Sequence, residues 1–208
     1  MIEDSAAPIH DRSGLTTGAV IVFHDVSMSK SITEEMARLA QHDGLTDLPN
    51  RILLADRLSQ AIARARRNTT RVGLMYLDLD GFKQINDSLG HTAGDKILQS
   101  VARRLRGCVR NSDTVCRQGG DEFVVLLQEI SHAADAGITA RKILTALSSS
   151  PLLDDASPQI SVSVGLSTYP EDGDAETLIH NADPAMYKAK EEGRNGYRYY
   201  QKEMNALA

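Results

Sequence analysis

The chain has 208 residues, 28 acidic against 23 basic side chains, a net charge of −5 at neutral pH and 41% hydrophobic residues. That suits one domain of ordinary size with roughly 40 to 50 residues to spare. It excludes a global basic field that would recruit nucleic acid or an anionic membrane. A phosphate-rich ligand would therefore have to be met by local cations and a metal. No stretch approaches the roughly 18 to 20 apolar residues of a membrane span, and Met1-Ile2-Glu3-Asp4 lacks the basic and apolar regions of a signal peptide. The two cysteines, Cys108 and Cys116, have no Cys-x-x-Cys spacing and read as reduced packing residues. The expected location is the cytoplasm, with any membrane attachment left to further parts of a longer protein.

In chain order, Ala19-Val20-Ile21-Val22-Phe23 is a short apolar run after Gly14 and Gly18, read as a strand after a turn. Residues 1–28 cannot bury a core by themselves. A short helix is expected from Ser29 to Gln41, with Ile32, Met36 and Leu39 at coiled-coil spacing on one face. After Pro49-Asn50, Ala55, Leu58, Ile62 and Ala65 predict a helical stripe. Val72 to Leu77 is a nearly continuous apolar run, a buried strand that leads into Asp78-Leu79-Asp80-Gly81. Ile97, Leu98, Val101, Ala102 and Leu105 mark a helix over Ala93 to Leu105. Thr114 to Arg117 and Phe123 to Leu127 flank Gly119-Gly120 as a hairpin. Ala136, Ala140, Ile143, Leu144 and Leu147 predict another helix, and the alternation Ile160 to Val164 a strand with one polar face. The last helix is expected to start at Asp183-Pro184, a cap followed by proline at the first helical position, and to end before Gly193. A terminal strand is expected near Tyr197 to Tyr200.

The order strand, helix, strand, strand, helix, strand from Val72 to Val164 predicts an α/β fold of the α+β type. Its core is the ferredoxin-like βαββαβ unit with a mostly antiparallel sheet. Such a fold implies no activity by itself.

The informative feature is where acidic residues fall on that frame. Asp78 ends a buried strand, where a lone carboxylate is costly without a cation or donors. Asp121 and Glu122 lie at the hairpin tip, directly after two glycines, and neighbouring strands would bring Asp78 and Asp121 to one point. Hard oxygen ligands of this kind suit Mg²⁺ completed by phosphate and water. A solvated turn with ordinary surface carboxylates is the bland reading of Gly-Gly-Asp-Glu alone; Asp78, Asn86, Asp95 and a distal cationic cluster outweigh it. That cluster, Lys188, Lys190 and Arg194, suits a di- or triphosphate tail. A helix C-terminus favours the same charges through its dipole, and the segment alone does not separate the two readings. No Gly-x-x-x-x-Gly-Lys-Ser/Thr loop, no Gly-x-Gly-x-x-Gly and no zinc spacing among His42, His91, His132 and His180 occurs.

Five segments together resemble the GGDEF family of diguanylate cyclases. They are Asp43-Gly44-Leu45-Thr46-Asp47-Leu48-Pro49-Asn50-Arg51; Leu77 to Asp87 followed by Gly90-His91-Thr92-Ala93-Gly94-Asp95; Arg117-Gln118-Gly119-Gly120-Asp121-Glu122-Phe123; Ser163-Val164-Gly165; and Ala182 to Asn195. The resemblance covers residues 43–200 and implies a palm-like catalytic domain that condenses two GTP into cyclic di-GMP as a homodimer. By that resemblance Asp78, Asp121 and the Leu79 carbonyl hold Mg²⁺, with Mn²⁺ a substitute. Asp121 accepts the proton of the attacking hydroxyl, and Glu122 assists. Asn86 and Asp95 read guanine, Lys83 and His91 lie near the nucleotide, and Lys190 and Arg194 take the triphosphate. Arg110-Asn111-Ser112-Asp113 fits the family's Arg-x-x-Asp product site, with Arg141 as a second cation; without the family it would read as a surface Arg–Asp turn.

The flanks carry resemblances of their own. Residues 1–28 resemble the last strands of a PAS sensory domain, residues 29–42 a signalling helix, and Tyr199 to Asn205 the connector to an EAL phosphodiesterase, with residues 201–208 opening that linker. A fragment of a PAS-GGDEF-EAL hybrid is therefore expected. Two rival readings stand beside catalysis: a GTP-binding module that regulates an attached EAL phosphodiesterase, and a dimerisation or signal-relay element built on residues 1–42.

Overall fold

The computed structural model describes residues 2–149 and 160–206, which fall into two compact units, Met1–Ala40 and Gln41–Ala208. In the first, strands β1 (Ile2–His10) and β2 (Thr16–Asp25) form an antiparallel hairpin, followed by helix α1 (Ser27–Gln41). Asp11 shapes the hairpin turn: its Oδ1 accepts from the Ser13 amide at 2.7 Å and the Leu15 amide at 3.0 Å. Every residue of both strands is exposed, as expected of a segment too small to enclose a core. On α1, Met36 and Leu39 are exposed, and the side chain of Ile32, the third residue of the expected seam, lies outside the described residues.

The second unit holds helices α2 (Arg51–Asn68), α3 (Phe82–Leu89), α4 (His91–Cys108), α5 (Ala133–Ser148) and α6 (Thr177–Glu191), and strands β3 (Arg71–Asp80), β4 (Thr114–Gly119), β5 (Glu122–Ile130), β6 (Ser161–Tyr169) and β7 (Gly196–Tyr199). The sheet order is β4-β5-β3-β6-β7. All pairs are antiparallel except β6 with β7. The first four strands reproduce the expected ferredoxin-like unit, and β7 adds a parallel edge. A short 3₁₀ turn, Lys202–Ala206, follows; residues 207–208 of the expected linker lie outside the described residues. No helix among the described residues is long and apolar enough to cross a membrane.

Strand β3 is buried on both faces because the sheet is a middle layer. Met75, Leu77 and Leu79 join the core with Ile97, Val101, Ala140 and Ile143 of α4 and α5. Val72 and Leu74 join the opposite one with Leu54 and Leu58 of α2 and Leu178 and Ala182 of α6. Tyr76, Asp78 and Asp80 follow on that second face by the period of two. Asn50 caps α2, its Oδ1 accepting from the amides of Ile52 at 2.9 Å and Leu53 at 3.2 Å. Cys108 and Cys116 are buried free thiols, as the spacing suggested.

Four expectations need correction. The buried stripe of α2 is Leu54, Leu58, Ala61 and Ala65; Ala55 is exposed and Ile62 only half-buried. A separate short helix, α3, precedes α4; with only Phe82 and Ile85 buried it carries too little periodicity to read. The serines of β6 are no solvated face: Ser163 and Ser167 are fully buried under α6. The helix α6 starts at Thr177, well before Asp183. Its true cap is Asp174, whose Oδ1 accepts from the amides of Glu176 at 3.1 Å and Thr177 at 3.2 Å and from the Thr177 hydroxyl at 2.9 Å. Pro184 thus lies inside the helix and costs it one backbone hydrogen bond.

Candidate active site

The end of β3 and the tip of the β4–β5 hairpin meet by register. Asp78 pairs with Glu122 on one side and Ser163 on the other, and the Leu79 amide donates to the Asp121 carbonyl at 3.3 Å. Lys190, on the last turn of α6, reaches Asp78 Oδ1 at 2.8 Å. Burial pushes the Asp78 carboxyl above the usual range; Lys190 opposes the rise, and Asp121 and Asp80 add to it. Burial likewise raises Glu122, against the Tyr76 phenol that donates to it, with Asp78, Asp183 and Asp121 adding to the rise. Burial and the nearby Glu122 carboxylate also raise the Tyr76 phenol.

Asp78, Asp121 and Glu122 thus share one corner with a single ammonium paired to Asp78. Two carboxylates above their ordinary range describe a place short of positive charge. Among the described residues, no three His, Cys, Asp or Glu side chains come together closely enough to hold a metal by themselves. The donor set fits a cation that takes one or two carboxylates, a carbonyl, water and ligand phosphate, as Mg²⁺ does.

The hairpin tip is braced by a residue to which the sequence assigned no role. Arg117 donates through Nε and Nη2 to the Gly120 carbonyl at 3.0 and 2.7 Å, while its Nη1 meets both oxygens of Asp43 at 3.0 and 3.1 Å. Gly120 has φ +50°, a left-handed conformation that glycine adopts without strain. Burial works to raise the Asp43 carboxyl, but the Thr46 hydroxyl and amide and Arg117 outweigh it and hold it below the ordinary range. The opening signature and the Gly-Gly-Asp-Glu tip are therefore one bonded assembly.

On the other side of β3, Asn86 of α3 packs against Gly94 of α4. A Cβ at Gly94 would fall 1.9 Å from Asn86 Oδ1, so any larger residue there would have to displace the Asn86 amide. Among the described residues, Asn86 Oδ1 is the buried side-chain oxygen left without a hydrogen-bond partner. Asp95, the next residue after Gly94, is exposed, as are Lys83 and His91. Beyond Lys190, the exposed Arg194 lies in a loop whose backbone is left-handed at Gly193, Arg194 and Asn195.

The Arg110–Asp113 segment is a tight turn. Asp113 accepts from the Arg110 amide at 3.0 Å and from the Gln128 amide at 3.2 Å. Both residues line an open cavity of about 350 Å³ with Glu129, Asp135, Thr139 and Lys142 among its walls. Arg141 is not among the lining residues; it donates to the Tyr197 hydroxyl at 2.8 Å.

Residues 40–196 match the family described as diguanylate cyclase, GGDEF domain, and the chain belongs to that family. It is 48% identical over 175 residues to the bifunctional diguanylate cyclase/cyclic di-GMP phosphodiesterase MucR of Pseudomonas aeruginosa, covering 84% of this chain and 25% of that protein. The chain thus spans a quarter of that relative's length. A truncated TpbB (YfiN) of Pseudomonas aeruginosa comprising only the GGDEF domain has the same fold, with a TM-score of 0.76 at 41% identity over 80% of this chain and 98% of that one. The coiled coil and GGDEF domain of DgcB from Caulobacter crescentus, in complex with c-di-GMP, gives 0.75 at 30% identity over 84% of this chain and 92% of its own.

Proposed function

We propose that this domain is a diguanylate cyclase that joins two GTP molecules into cyclic di-GMP. The observation that carries the reading is the opposition of Asp78 and Glu122 across β3 and β5, both pushed up by burial, with Lys190 as Asp78's ion-pair partner. Asp78, Asp121 and the Leu79 carbonyl would hold Mg²⁺, or Mn²⁺ in its place. When bound, the metal supplies charge neutralisation at the reacting phosphate and acidifies the attacking hydroxyl.

The chain's own residues do the rest. Lys190 and Arg194 bind the triphosphate tail. Asn86 Oδ1, an acceptor without a donor, and the Asp95 carboxylate take the N1–H and amino group of guanine. Adenine lacks the N1–H and would leave them unpaired. Lys83 and His91 flank the nucleotide. Asp121 accepts the proton of the 3′-hydroxyl, with Glu122 assisting. The freed 3′-oxygen bonds to the α-phosphorus of a second GTP and pyrophosphate leaves. The reciprocal attack closes the ring and releases a second pyrophosphate. Each subunit supplies one GTP, so the catalyst is a homodimer, and the exposed Met36 and Leu39 of α1 suit such a pairing.

Product cyclic di-GMP is read as an inhibitor at Arg110 and Asp113, with Arg141 contributed from a neighbouring domain. A second reading, a GTP-binding module that regulates an attached phosphodiesterase, draws on the bifunctional character of MucR. Chromatography of reactions with GTP and Mg²⁺ separates the two. Wild type should form cyclic di-GMP, and Asp78→Ala and Asp121→Ala should each lose at least about 10²-fold in rate. Near wild-type synthesis by either variant would remove the metal assignment, and GTP binding without product in the wild type would favour the regulatory module.

A further inference from the structure

Asp80 is the last residue of β3, two positions from Asp78 and on the same face. Its carboxylate is already supplied with donors from two other segments. Ser163 Oγ donates to Oδ1 at 2.8 Å, Ser161 Oγ to Oδ2 at 2.6 Å, and the Asn195 amide to Oδ2 at 3.2 Å. The two serines come from β6 and the amide from the loop that follows α6. One side chain therefore ties β3, β6 and that loop together.

The loop needs such a tie. Gly193, Arg194 and Asn195 have φ of +115°, +61° and +44°. Two successive non-glycine residues in the left-handed region cost about 1–2 kcal/mol each, a conformation that persists only where surrounding bonds hold it. The remaining backbone ties are the Arg194 amide to the Ala189 carbonyl at 3.1 Å and the Gly193 amide to the Lys190 carbonyl at 3.4 Å. Both lie before the strained pair is complete; at its far end Asp80 holds the Asn195 amide itself, and the next residue, Gly196, enters β7 opposite Ser163 of β6.

We infer that Asp80 is a positioning residue, not a second acidic ligand beside Asp78: it latches the Gly193–Asn195 loop and so fixes the backbone from which Arg194 reaches the phosphate tail. This rests on the reading of Arg194 as a triphosphate contact. With Ser161, Ser163 and Asn195 donating to it, the Asp80 carboxylate is committed to the fold, while Asp78 meets the Lys190 ammonium.

Calorimetry with 3′-deoxy-GTP, which lacks the attacking hydroxyl, and with the corresponding 3′-deoxy monophosphate tests the latch. Losing a hydrogen bond to a charged group should weaken 3′-deoxy-GTP binding by about tenfold in Asp80→Ala. The monophosphate should lose less than about twofold, because it has no tail for Arg194 to hold. Arg194→Ala should show the same selectivity, and the double variant should be no weaker than Arg194→Ala alone, since residues acting through one another do not add. Asp80→Asn keeps an acceptor for Asn195 and should recover part of the loss. Equal weakening of both ligands by Asp80→Ala, or additive losses, would mean a general structural role and overturn the latch. If Asp80→Ala does not fold, Ser161→Ala removes one support of the same carboxylate and should give the same selective loss, about threefold; no loss there also overturns it. Wild-type affinity in Arg194→Ala would remove the triphosphate reading and the latch with it, whereas an Arg194 effect without an Asp80 effect removes the latch alone.

Discussion

Replacing Gly165 by alanine should separate α6 from the sheet and disable the site without touching a reacting group. A Cβ at Gly165 would lie 1.9 Å from the Ala182 carbonyl oxygen and 2.3 Å from the Met186 amide nitrogen. Ordinary contacts need about 3.5 Å, so α6 has to move away by roughly 1 Å or more. Both atoms are helix backbone, which no rotamer change relieves. Lys190 follows Met186 by one turn, and its 2.8 Å pair with Asp78 moves with the helix. The overpacking should cost about 3 kcal/mol of stability, and a displacement of this size at a phosphate-binding lysine about 10²-fold in rate. Gly107→Ala is the control: nothing lies within 4 Å of its added carbon, and in helix α4 it should be neutral or stabilising by up to about 1 kcal/mol. Urea unfolding gives the first quantity, and chromatographic cyclic di-GMP synthesis the second. A Gly165→Ala protein with wild-type midpoint and rate would refute the placement of α6 and with it the geometry of Lys190.

Asp43→Asn should destabilise the domain by about 1.5–3 kcal/mol at neutral pH, the usual worth of hydrogen bonds to a charged group. Because the folded carboxyl lies below its unfolded value, its stabilisation is present above the unfolded pKa and lost as pH falls through the folded one. The difference between variant and wild type should therefore vanish in acid; a gap that persists there, measured by urea titration, would contradict the charge argument. Arg110→Ala should leave stability within about 0.5 kcal/mol of wild type. It should weaken cyclic di-GMP binding at least about tenfold by calorimetry, since the turn is closed by the backbone amide and carbonyl of Arg110 with the carboxylate and amide of Asp113. Equal affinity in the two proteins would leave Arg110–Asp113 as a surface turn.

What the sequence revealed divides along physical lines. Strand β3 and the β4–β5 hairpin were readable because an apolar run interrupted by Asp78, and a glycine pair between two apolar segments, are local signals. The start of α6 was misplaced because Asp183-Pro184 imitates a cap locally, while the real cap, Asp174 with Thr177, lies in a polar loop with no apolar stripe to mark it. The alternating serines of β6 mark its polar face, but their period gives no sign that α6 buries it. Their small size lets α6 approach at Gly165, and Ser163 serves Asp80. Arg117 and Asp80 were missed for one reason: each acts through partners far off in the chain, Asp43 for the first and Asn195 for the second. No local pattern announces such bonds. The weak hint available was an acidic residue, Asp80, placed two positions after another on one strand face.

The most direct test is the rate of cyclic di-GMP formation from GTP and Mg²⁺, followed by chromatography across a wide range of protein concentration. The account predicts two pyrophosphates released per cyclic di-GMP, and a rate per subunit that rises with concentration until the dimer saturates, because one domain presents only half of the reacting atoms. Pyrophosphate release without cyclic di-GMP, or a rate per subunit that stays constant while light scattering shows only monomer, would contradict it.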